Sequence, residues 1–315
     1  AKMMEMVLNG GRCLDCGPHC ARWEKCGALG GHLGPDTGSL DTYQSFDEVL
    51  ESVDKQFAYW TDQMCSSLNI IDNAHRALKP VPYVSAFYED CMESGRDLTE
   101  GGAKYNGTGP QASGMATCAD SLAAIRQLVF DEKRCTGSEL LAAVKDNWKG
   151  HEKLYALVNS SKVHHYGNDD DYADDLMKRV YNSLFNNIDG KRSILGPTYH
   201  LNMLSTTCHN YFGQKLAATP NGRFSGMPES DGTSPSHGAD RNGPTAVAKS
   251  LAKMDQVKSG GTLLNQRFLP SVLAGEEGIE GVKNLIRSYF KLGGHHIQFN
   301  VVDEETLRDA QANPD

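Results

Sequence analysis

Four cysteines near the start of the chain have the spacing that most suggests a chemical role. The short segment holds Cys13, Cys16, Cys20 and Cys26, with His19 and His32 close by. Four thiolates on one loop can close a tetrahedron around zinc or ligate an iron–sulfur cluster. A structural zinc module usually has two tight cysteine pairs, whereas only Cys13 and Cys16 form one here. A surface loop of free thiols is therefore the alternative.

Other cysteines and histidines occur singly or as adjacent pairs. An isolated cysteine usually behaves as a small buried apolar residue. Cys208 lies beside His209, but neighbours in a strand point to opposite faces, so we expect no Cys–His nucleophile there. His164 and His165 precede the acidic run 169–171. We expect that run to cap the next helix and to interact with its dipole.

The glycine-rich stretches lack the spacing of phosphate-binding loops. Gly101-Gly102 and Gly107-x-Gly109 match neither G-x-G-x-x-G nor G-x-x-x-x-G-K-[ST]. Close approach of the backbone to another element explains them better. The segment 218–243 is rich in Gly, Pro, Ser, Asp and Asn, and long ordered loops of this kind tend to be functional.

The composition is that of a folded, acidic protein. The chain has 315 residues, 39% of them hydrophobic, and a formal net charge of −9. That charge argues against binding duplex nucleic acid, because such affinity comes from neutralising phosphates. No run approaches the roughly 18 apolar residues of a membrane span, and the first residues do not resemble a secretory signal. Nine cysteines without an export signal predict reduced thiols in a cytoplasmic protein.

Apolar spacing predicts a mainly helical chain. Ser45 and Glu48 have the spacing of a capping box, and apolar residues recur every three or four positions over 46–60. Thr136 and Glu139 repeat the capping spacing. Such periodic faces pack into a core, so we predict no cofactor site on them. Further helices are predicted at Asp120–Glu132, Thr136–Lys149, Asp171–Phe185 and Glu277–Lys291.

Strand signals are fewer and shorter. Residues Ile297–Val302 alternate apolar and polar side chains, as a strand with one buried face does. His200–Ser205 and Thr262–Leu264 are the other predicted strands. Helical patterns at both ends suggest that the chain is a piece of a longer polypeptide. Within it we expect one mainly helical unit with a minority of strands.

Seven longer strings follow one another in a single order over nearly the whole chain. They are Asp97–Asn106, Gly109–Gln111, Tyr166–Tyr172, Ala218–Arg223, Ser234–Val247, Gly261–Gln266 and Gly294–Val302, the last continuing to Asp315. Together they resemble the glycyl radical enzyme family, which includes pyruvate formate-lyase.

The resemblance implies a fold and a place within it. The family is built on a ten-stranded α/β barrel of two five-stranded halves, surrounded by helices. Two loops meet at its centre, one carrying a cysteine and the other a glycine that stores a backbone radical. By resemblance, residues 1–315 are the C-terminal portion of that catalytic domain, after the Cys-x-Glu loop and before the R-V-x-G-Y motif. We therefore expect neither motif, and no catalytic residue, within this chain.

The resemblance also implies a cofactor and partners. The glycyl radical would lie on a glycine outside this chain, installed by an S-adenosylmethionine-dependent activating enzyme. The family acts on small molecules, and we expect a homodimer. Radicals survive only in a dry, closed cavity. We therefore expect the loops between Thr219 and Gly243 to pack the protein rather than to bind ligand.

One further segment indicates which kind of substrate to expect. Residues 199–213 fall where the family places a strand that lines the substrate. Met203, Ser205 and Thr206 make this strand resemble that of the trans-4-hydroxy-L-proline dehydratases, and their polar groups would bind a small zwitterion. Alternation along a strand would turn Thr206 and Leu204 toward the cavity. The alternative is that these hydroxyls bond only to neighbouring backbone.

We therefore expect a glycyl radical dehydratase, a carbon–oxygen lyase that removes water from a small hydroxylated substrate such as trans-4-hydroxy-L-proline. Within the family, the alternatives are a glycerol or propanediol dehydratase, a choline lyase, an arylacetate decarboxylase or a formate acyltransferase. An alternative of another class is a non-catalytic partner whose cysteine-rich loop holds a metal.

Overall fold

The computed structural model describes residues 1–14 and 31–313. Helices are the predominant regular structure among them. The helices are α1 (Lys2–Leu8), α2 (Phe46–Leu78), α3 (Pro82–Ser85), α4 (Cys91–Ser94), α5 (Met115–Ile125), α6 (Gly137–Lys145), α7 (Glu152–Val158), α8 (Asp171–Ile188), α9 (Cys208–Gly213), α10 (Pro244–Ala252), α11 (Gly275–Lys291) and α12 (Glu304–Ala312). The strands are β1 (Asn202–Met203), β2 (Gly261–Thr262), β3 (Leu264–Phe268) and β4 (Ile297–Val301).

The chain divides into two compact units. The first consists of Ala1, Ala112–Tyr181 and Met203–Asp315, and the second of Lys2–Gln111 and Asn182–Asn202. The expectation that residues 1–315 are one portion of a single catalytic domain stays a prediction. No helix within the described ranges is long and apolar enough to cross a membrane.

Two predicted helix starts are confirmed at the level of the capping side chains. The Ser45 hydroxyl accepts a hydrogen bond from the Glu48 amide at 3.4 Å, and α2 follows directly. Thr136 and Glu139 form the complete capping box, with the Thr136 hydroxyl accepting from the Glu139 amide at 3.1 Å and the Glu139 carboxylate accepting from the Thr136 amide at 2.7 Å. These local bonds satisfy amides that a helix start otherwise leaves unpaired.

The helix predicted at Asp120–Glu132 begins earlier and changes type. In the structure α5 begins at Met115, every residue of it is buried, and a π-helical segment follows at Arg126–Asp131. A helix buried on all sides has no polar stripe, so its first turn gives no periodic signal in the sequence. Its start is set by Gly114, whose left-handed backbone (φ 71°) ends the preceding segment.

Helix α6 ends sooner than predicted, at Lys145 rather than Lys149. Asn147 and Trp148 both have positive φ, at 51° and 64°, and a right-handed helix cannot continue through such residues. The predicted helices Asp171–Phe185 and Glu277–Lys291 are present as α8 and α11, each two or three residues longer.

The first unit contains one complete strand–helix–strand connection. β3 pairs in parallel with β4 in the register Leu264 to Ile297, and α11 connects the two strands. Parallel strands need such a crossover, and this arrangement is typical of α/β proteins. Tyr289 of α11 is fully buried, and its hydroxyl donates to the Gln256 side chain at 3.2 Å.

The predicted barrel is not visible as a closed sheet. Within the described ranges the strands form two separate two-stranded sheets, β1 with β2 and β3 with β4. The strand predicted at His200–Ser205 shortens to two residues, and Thr262–Leu264 is split between β2 and β3. Two-stranded sheets are marginal by themselves and gain stability from elements packed on them.

Candidate functional site

The segment predicted to line the substrate is a strand end followed by a turn. Met203 is fully buried at the end of β1, and its carbonyl accepts a hydrogen bond from the Leu263 amide at 3.1 Å. Ser205 is buried, whereas Thr206 is exposed and has a φ of 50°. Thr206 lies outside β1, so strand alternation does not apply there, and its role in lining the substrate stays a prediction. A β-branched residue in left-handed backbone is uncommon and strained.

Two hydrogen bonds to the Ser205 carbonyl close this turn. The Cys208 amide donates to it at 2.8 Å, and the Thr206 hydroxyl donates to it at 2.8 Å. The Thr206 hydroxyl thus bonds to neighbouring backbone, as the alternative above anticipated. Cys208 is exposed at the start of α9, while the next residue, His209, is buried. These two side chains therefore point different ways, as expected, although they begin a helix and not a strand.

The Ser205 side chain belongs to a buried polar cluster. Its hydroxyl donates to the Asp231 carboxylate and accepts from the Gly232 amide at 2.7 Å. The second oxygen of Asp231 accepts from the Asn265 side-chain amide, which comes from β3. Donors from two separate segments therefore hold one carboxylate. Buried carboxylates are stable only when bonded in this way.

Gly232 is required at the centre of this cluster. Its φ is 50°, and a Cβ placed there would lie 2.7 Å from the Leu263 carbonyl oxygen and 2.9 Å from that of Met203. Both distances are shorter than a carbon and an oxygen can approach, and both atoms belong to backbone. The close approach holds the loop against the strand ends, in agreement with the packing role expected for the loop between Thr219 and Gly243.

His209 lies against the same carboxylate. Its Nδ1 is 3.5 Å from Oδ1 of Asp231, it is buried, and it has no hydrogen-bond partner in the part of the chain that the structure describes. The ring of His237 lies 6.4 Å away from that of His209, centre to centre. Desolvation and the positive charges of Arg267 and His209 lower the pKa of His237. The cluster thus contains two imidazoles beside one anchored carboxylate.

A second Asp–His pair lies deeper in the same unit. Asp120 is completely buried in α5 and accepts from the Tyr166 amide at 2.7 Å. His165 Nδ1 is 3.9 Å from its carboxylate, and His165 Nε2 is 3.2 Å from the Val158 carbonyl oxygen. Burial raises the pKa of Asp120, and the charge of His165 opposes that rise. Both ends of this imidazole thus face protein groups.

The acidic run 169–171 caps α8, as predicted. The Asp170 carboxylate accepts from the Tyr172 amide at 3.1 Å. The run also binds lysines, since Lys249 reaches Asp169 at 2.9 Å and Lys253 reaches Asp171 at 2.6 Å. These ion pairs link the acidic run to the two lysines and neutralise the carboxylate charges, so the segment has a structural role.

The predicted metal site falls largely outside the described residues, which include Cys13 but not Cys16, Cys20 or Cys26. Cys13 Sγ lies 3.2 Å from Lys2 Nζ and 3.3 Å from the Glu5 carboxylate. No group of three or more His, Cys, Asp or Glu side chains within the described ranges could hold a metal ion. Metal binding by the four cysteines stays a prediction.

One Cys-x-Glu string does lie inside the chain, contrary to the expectation above: Cys91-Met92-Glu93. Asp90, rather than glycine, precedes it and has a φ of 71°. Cys91 is buried at the start of α4, and desolvation raises the pKa of its thiol. A raised pKa leaves less of the reactive thiolate. The expectation that the family's cysteine loop lies elsewhere stays a prediction.

Asp231, His209 and Asn265 were not predicted as functional residues. Asp231 lies in the loop that we expected only to pack, and Asn265 lies in a string used solely for the family resemblance. The sequence shows these three residues only as polar side chains next to short apolar segments. The tertiary contacts that bring them together are not visible in it. Residues 229–236 of this loop are all buried, in agreement with the predicted packing role.

Two family models match the chain. The one described as pyruvate formate lyase-like matches residues 1–213, and the one described as glycine radical matches residues 229–315. The chain is 57% identical over its whole length to the (2S)-3-sulfopropanediol dehydratase of Klebsiella oxytoca. It is 46% identical, over 90% of its length, to the trans-4-hydroxy-L-proline dehydratase of Clostridioides difficile. The chain spans 37% and 36% of the lengths of these two relatives.

The solved structures that match the chain belong to the same group of enzymes as its relatives in sequence. The hydroxyproline dehydratase of Clostridioides difficile with trans-4-hydroxy-L-proline bound matches 99% of the chain with a TM-score of 0.90 and 44% identity. The glycerol-bound B12-independent glycerol dehydratase of Clostridium butyricum matches 100% of it with a TM-score of 0.89 and 36% identity. The chain covers 38% of each. The predicted likeness to a hydroxyproline dehydratase is confirmed, and the chain belongs to the pyruvate formate lyase-like family of glycyl radical enzymes.

Proposed function

We propose that the full-length protein is a glycyl radical dehydratase that removes water from a small hydroxylated substrate. The observation that carries the proposal is the 57% identity, over the whole chain, to a dehydratase of this family. The hydroxyproline and glycerol dehydratases that match it in sequence or structure support the same reaction class. A glycyl radical, when present, supplies hydrogen-atom abstraction from the substrate through a cysteine thiyl.

We further propose (2S)-3-sulfopropanediol as the first substrate to test. Its dehydratase is more similar to this chain than the hydroxyproline dehydratase is, at 57% against 46% identity. trans-4-Hydroxy-L-proline is the second candidate, favoured by the TM-score of 0.90 to a structure that contains it. The two compounds share a hydroxylated carbon skeleton and an acidic group, so either requires a site that tolerates an anion.

Within this chain, we assign different tasks to the three residues predicted to line the substrate. Both hydrogen-bonding capacities of Ser205 are used by Asp231 and Gly232, so its task is to hold the turn. Met203 is fully buried, so its side chain belongs to the core. Thr206 is exposed at the tip, and we propose its hydroxyl as the group that contacts substrate. Its bond to the Ser205 carbonyl can be exchanged, since a hydroxyl both donates and accepts.

The remaining elements of the proposal lie beyond this chain. They are a radical glycine, an S-adenosylmethionine-dependent activating enzyme as partner, a homodimeric assembly and the closed ten-stranded barrel. The parallel β3–α11–β4 unit supports the barrel, because a barrel of this class is assembled from such connections.

The test is anaerobic activation of the full-length protein by its activating enzyme. We expect the electron paramagnetic resonance doublet of a glycyl radical, followed by turnover of (2S)-3-sulfopropanediol in a panel with trans-4-hydroxy-L-proline, glycerol, propanediol and choline. A full radical signal with none of these substrates consumed would contradict the proposed function. Turnover of hydroxyproline alone would select the second candidate.

Thr206→Val tests the assignment of the turn. Losing a hydrogen bond to a charged substrate group costs about 1.5–3 kcal/mol, or roughly ten- to over a hundredfold in kcat/KM. We expect that loss with the radical signal and the melting temperature unchanged. Unchanged kinetics on the preferred substrate would refute a contact between Thr206 and substrate. Unfolding would instead show that the hydroxyl serves the turn.

A further inference from the structure

The two parallel strands β3 and β4 present one largely apolar face and one polar face. On the first, Leu264 is fully buried, and the rings of Phe268 and Phe299 lie 5.7 Å apart, centre to centre. Alternation gives the second face only polar side chains, which are Asn265, Arg267, Gln298 and Asn300. Parallel strands are usually apolar on both faces, because both faces are covered. Packing into a core therefore does not explain the polar face.

This polar face is connected by hydrogen bonds and ends where ligands usually bind. The Asn300 side-chain amide donates to Asn265 Oδ1 at 3.3 Å, and Asn265 donates in turn to Asp231. The strand register pairs Arg267 with Asn300, and each lies one residue before the end of its strand. Ligands of α/β proteins bind at the carboxyl ends of parallel strands. Arg267 and Asn300 therefore occupy the position where a ligand is expected.

Arg267 is the charged member of this face, and its charge is not neutralised at short range. Its side chain is exposed, and among the residues that the structure describes the guanidinium has neither an ion pair nor a hydrogen-bond partner. The two nearest acidic groups do not bind it. Both oxygens of Asp231 are occupied, one by Ser205 and the other by Asn265. Desolvation raises the pKa of Asp240, and the charge of Arg267 only partly opposes that rise.

The donors available at this position fit a small oxyanion. A guanidinium is always charged and presents five N–H donors in a planar fork, which matches two oxygens of a carboxylate or of a tetrahedral acid group. Asn300 uses one hydrogen of its amide on Asn265, and the second has no acceptor within the described part of the chain. Arg267 and Asn300 are paired in register, so their donors can serve one anion together.

We propose that Arg267, assisted by Asn300, binds the acidic group of the substrate and thereby selects anionic over neutral hydroxylated compounds. This inference rests on the dehydratase function proposed above and deepens it. It makes Arg267 a specificity-determining residue, which contributes binding and takes no part in bond breaking. The sulfonate of (2S)-3-sulfopropanediol and the carboxylate of trans-4-hydroxy-L-proline both offer the required oxygens, whereas glycerol and propanediol offer none.

The first test is calorimetric titration of the full-length protein before activation, with the two anionic compounds and neutral propane-1,2-diol as probes. We expect Arg267→Met to weaken the binding of at least one anionic compound by about ten- to a hundredfold, the usual effect of losing a hydrogen bond to a charged group. Binding of the diol should change by less than about threefold. Arg267→Lys keeps the charge but not the planar fork, so its loss should be smaller.

The second test uses the activated enzyme. In Arg267→Met we expect KM for the anionic substrate to rise by the same factor, with kcat within about threefold and the glycyl radical signal and melting temperature at the wild-type level. Asn300→Ala should raise KM by about two- to tenfold, as expected for a neutral donor. Arg308→Met is the matched control, because Arg308 lies exposed on α12 in an ion pair with Glu304, and its replacement should leave affinity and kinetics unchanged.

The outcomes separate the anion site from the function beneath it. A wild type that binds neither anionic compound, or Arg267→Met binding both within about threefold of wild type, would overturn the anion site whether or not the enzyme dehydrates them. Equal weakening for the diol and the anions would also overturn it, because the side chain would then serve the fold. Binding that depends on Arg267, without turnover by the radical-bearing enzyme, would reject the dehydratase function and leave the anion site standing.

Discussion

The two buried Asp–His pairs of the first unit have similar composition and opposite surroundings. Asp120 and His165 lie with 0% and 7% of their surfaces exposed, and Nε2 of His165 lies against a backbone carbonyl. Asp231 and His209 are each 9% exposed, and the corresponding nitrogen of His209 has no partner in the described part of the chain. In the first pair, both nitrogens of the imidazole face protein groups. In the second pair, only Nδ1 does.

The difference shows what a buried histidine can contribute. Removing one partner of the fully buried pair leaves the other group unpaired in a low-dielectric interior and costs stability. In the second pair the Asp231 carboxylate keeps its hydrogen bonds from Ser205 and Asn265 when the His209 ring is replaced, so we expect a smaller loss of stability. Unfolding measurements should therefore respond more strongly to the loss of Asp120 than to the loss of His209.

Asp120→Ala is expected to have the largest effect on stability. It leaves the Tyr166 amide without its acceptor and removes the carboxylate that lies 3.9 Å from His165 Nδ1, and breaking a buried pair typically costs about 3–5 kcal/mol. The measurement is denaturant unfolding of the full-length protein. Asp146→Ala is the matched control, because its pair with His151 at 3.0 Å is largely exposed and should contribute at most about 1 kcal/mol. Equal losses in the two variants would contradict the distinction.

Lys253→Ala should have the next largest effect. Lys253 donates to Asp174, which is buried, at 2.7 Å and also reaches Asp169 and Asp171. We expect a loss of about 1.5–3 kcal/mol, the usual contribution of a hydrogen bond to a charged group. Lys249→Ala removes an exposed pair with Asp169 and should cost at most about 1 kcal/mol.

Thermal unfolding of both lysine variants checks this ranking. If Lys249→Ala lowered the melting temperature as much as Lys253→Ala, the energetic importance of the buried Asp174 contact would be refuted.

The smallest expected effect concerns Asp97, a carboxylate of the second unit with no histidine or lysine bonded to it. Burial raises its pKa, but hydrogen bonds from Thr99, the Val81 amide and Ser85 outweigh that and hold the pKa at about 2. Because the folded pKa lies below the unfolded one, this carboxylate stabilises the protein fully above about pH 4, and that contribution is lost as the pH falls toward 2.

Asp97→Asn should therefore be less stable than wild type at pH 6. The difference in unfolding free energy between the two proteins should become smaller between pH 4 and 2. Acid titration of the unfolding midpoint measures it. A difference in stability that stays constant over that range would show that the charge of the Asp97 carboxylate does not stabilise the fold.

Local chemistry explains what could be predicted of the fold. The caps at Ser45 and Thr136 and the alternation of Ile297–Val302 involve residues only a few positions apart, so they can be recognised in the sequence. The start of α5 and the end of α6 could not. Burial on all sides removes the periodic signal from α5, and Asn147 and Trp148 adopt a backbone that their residue types do not predict.

The family, by contrast, was evident from strings spread along the whole chain, because membership depends on the order of residues and not on their packing. A separate segment, 199–213, was expected by resemblance to be a strand that includes Met203, Ser205 and Thr206, but β1 ends at Met203. Whether a strand continues depends on the partners of its amides. Here the Ser205 carbonyl bonds to Cys208 and turns the chain at Thr206.

The sequence by itself determined the family, most of the helices and the segment in which the proposed substrate contacts lie. Only the tertiary structure decided that Ser205, His209, Asp231 and Asn265 share one cluster, since 60 positions separate the first from the last. The physical reason is that a buried carboxylate must collect donors wherever the fold places them. Local sequence rules carry no information on contacts at that separation.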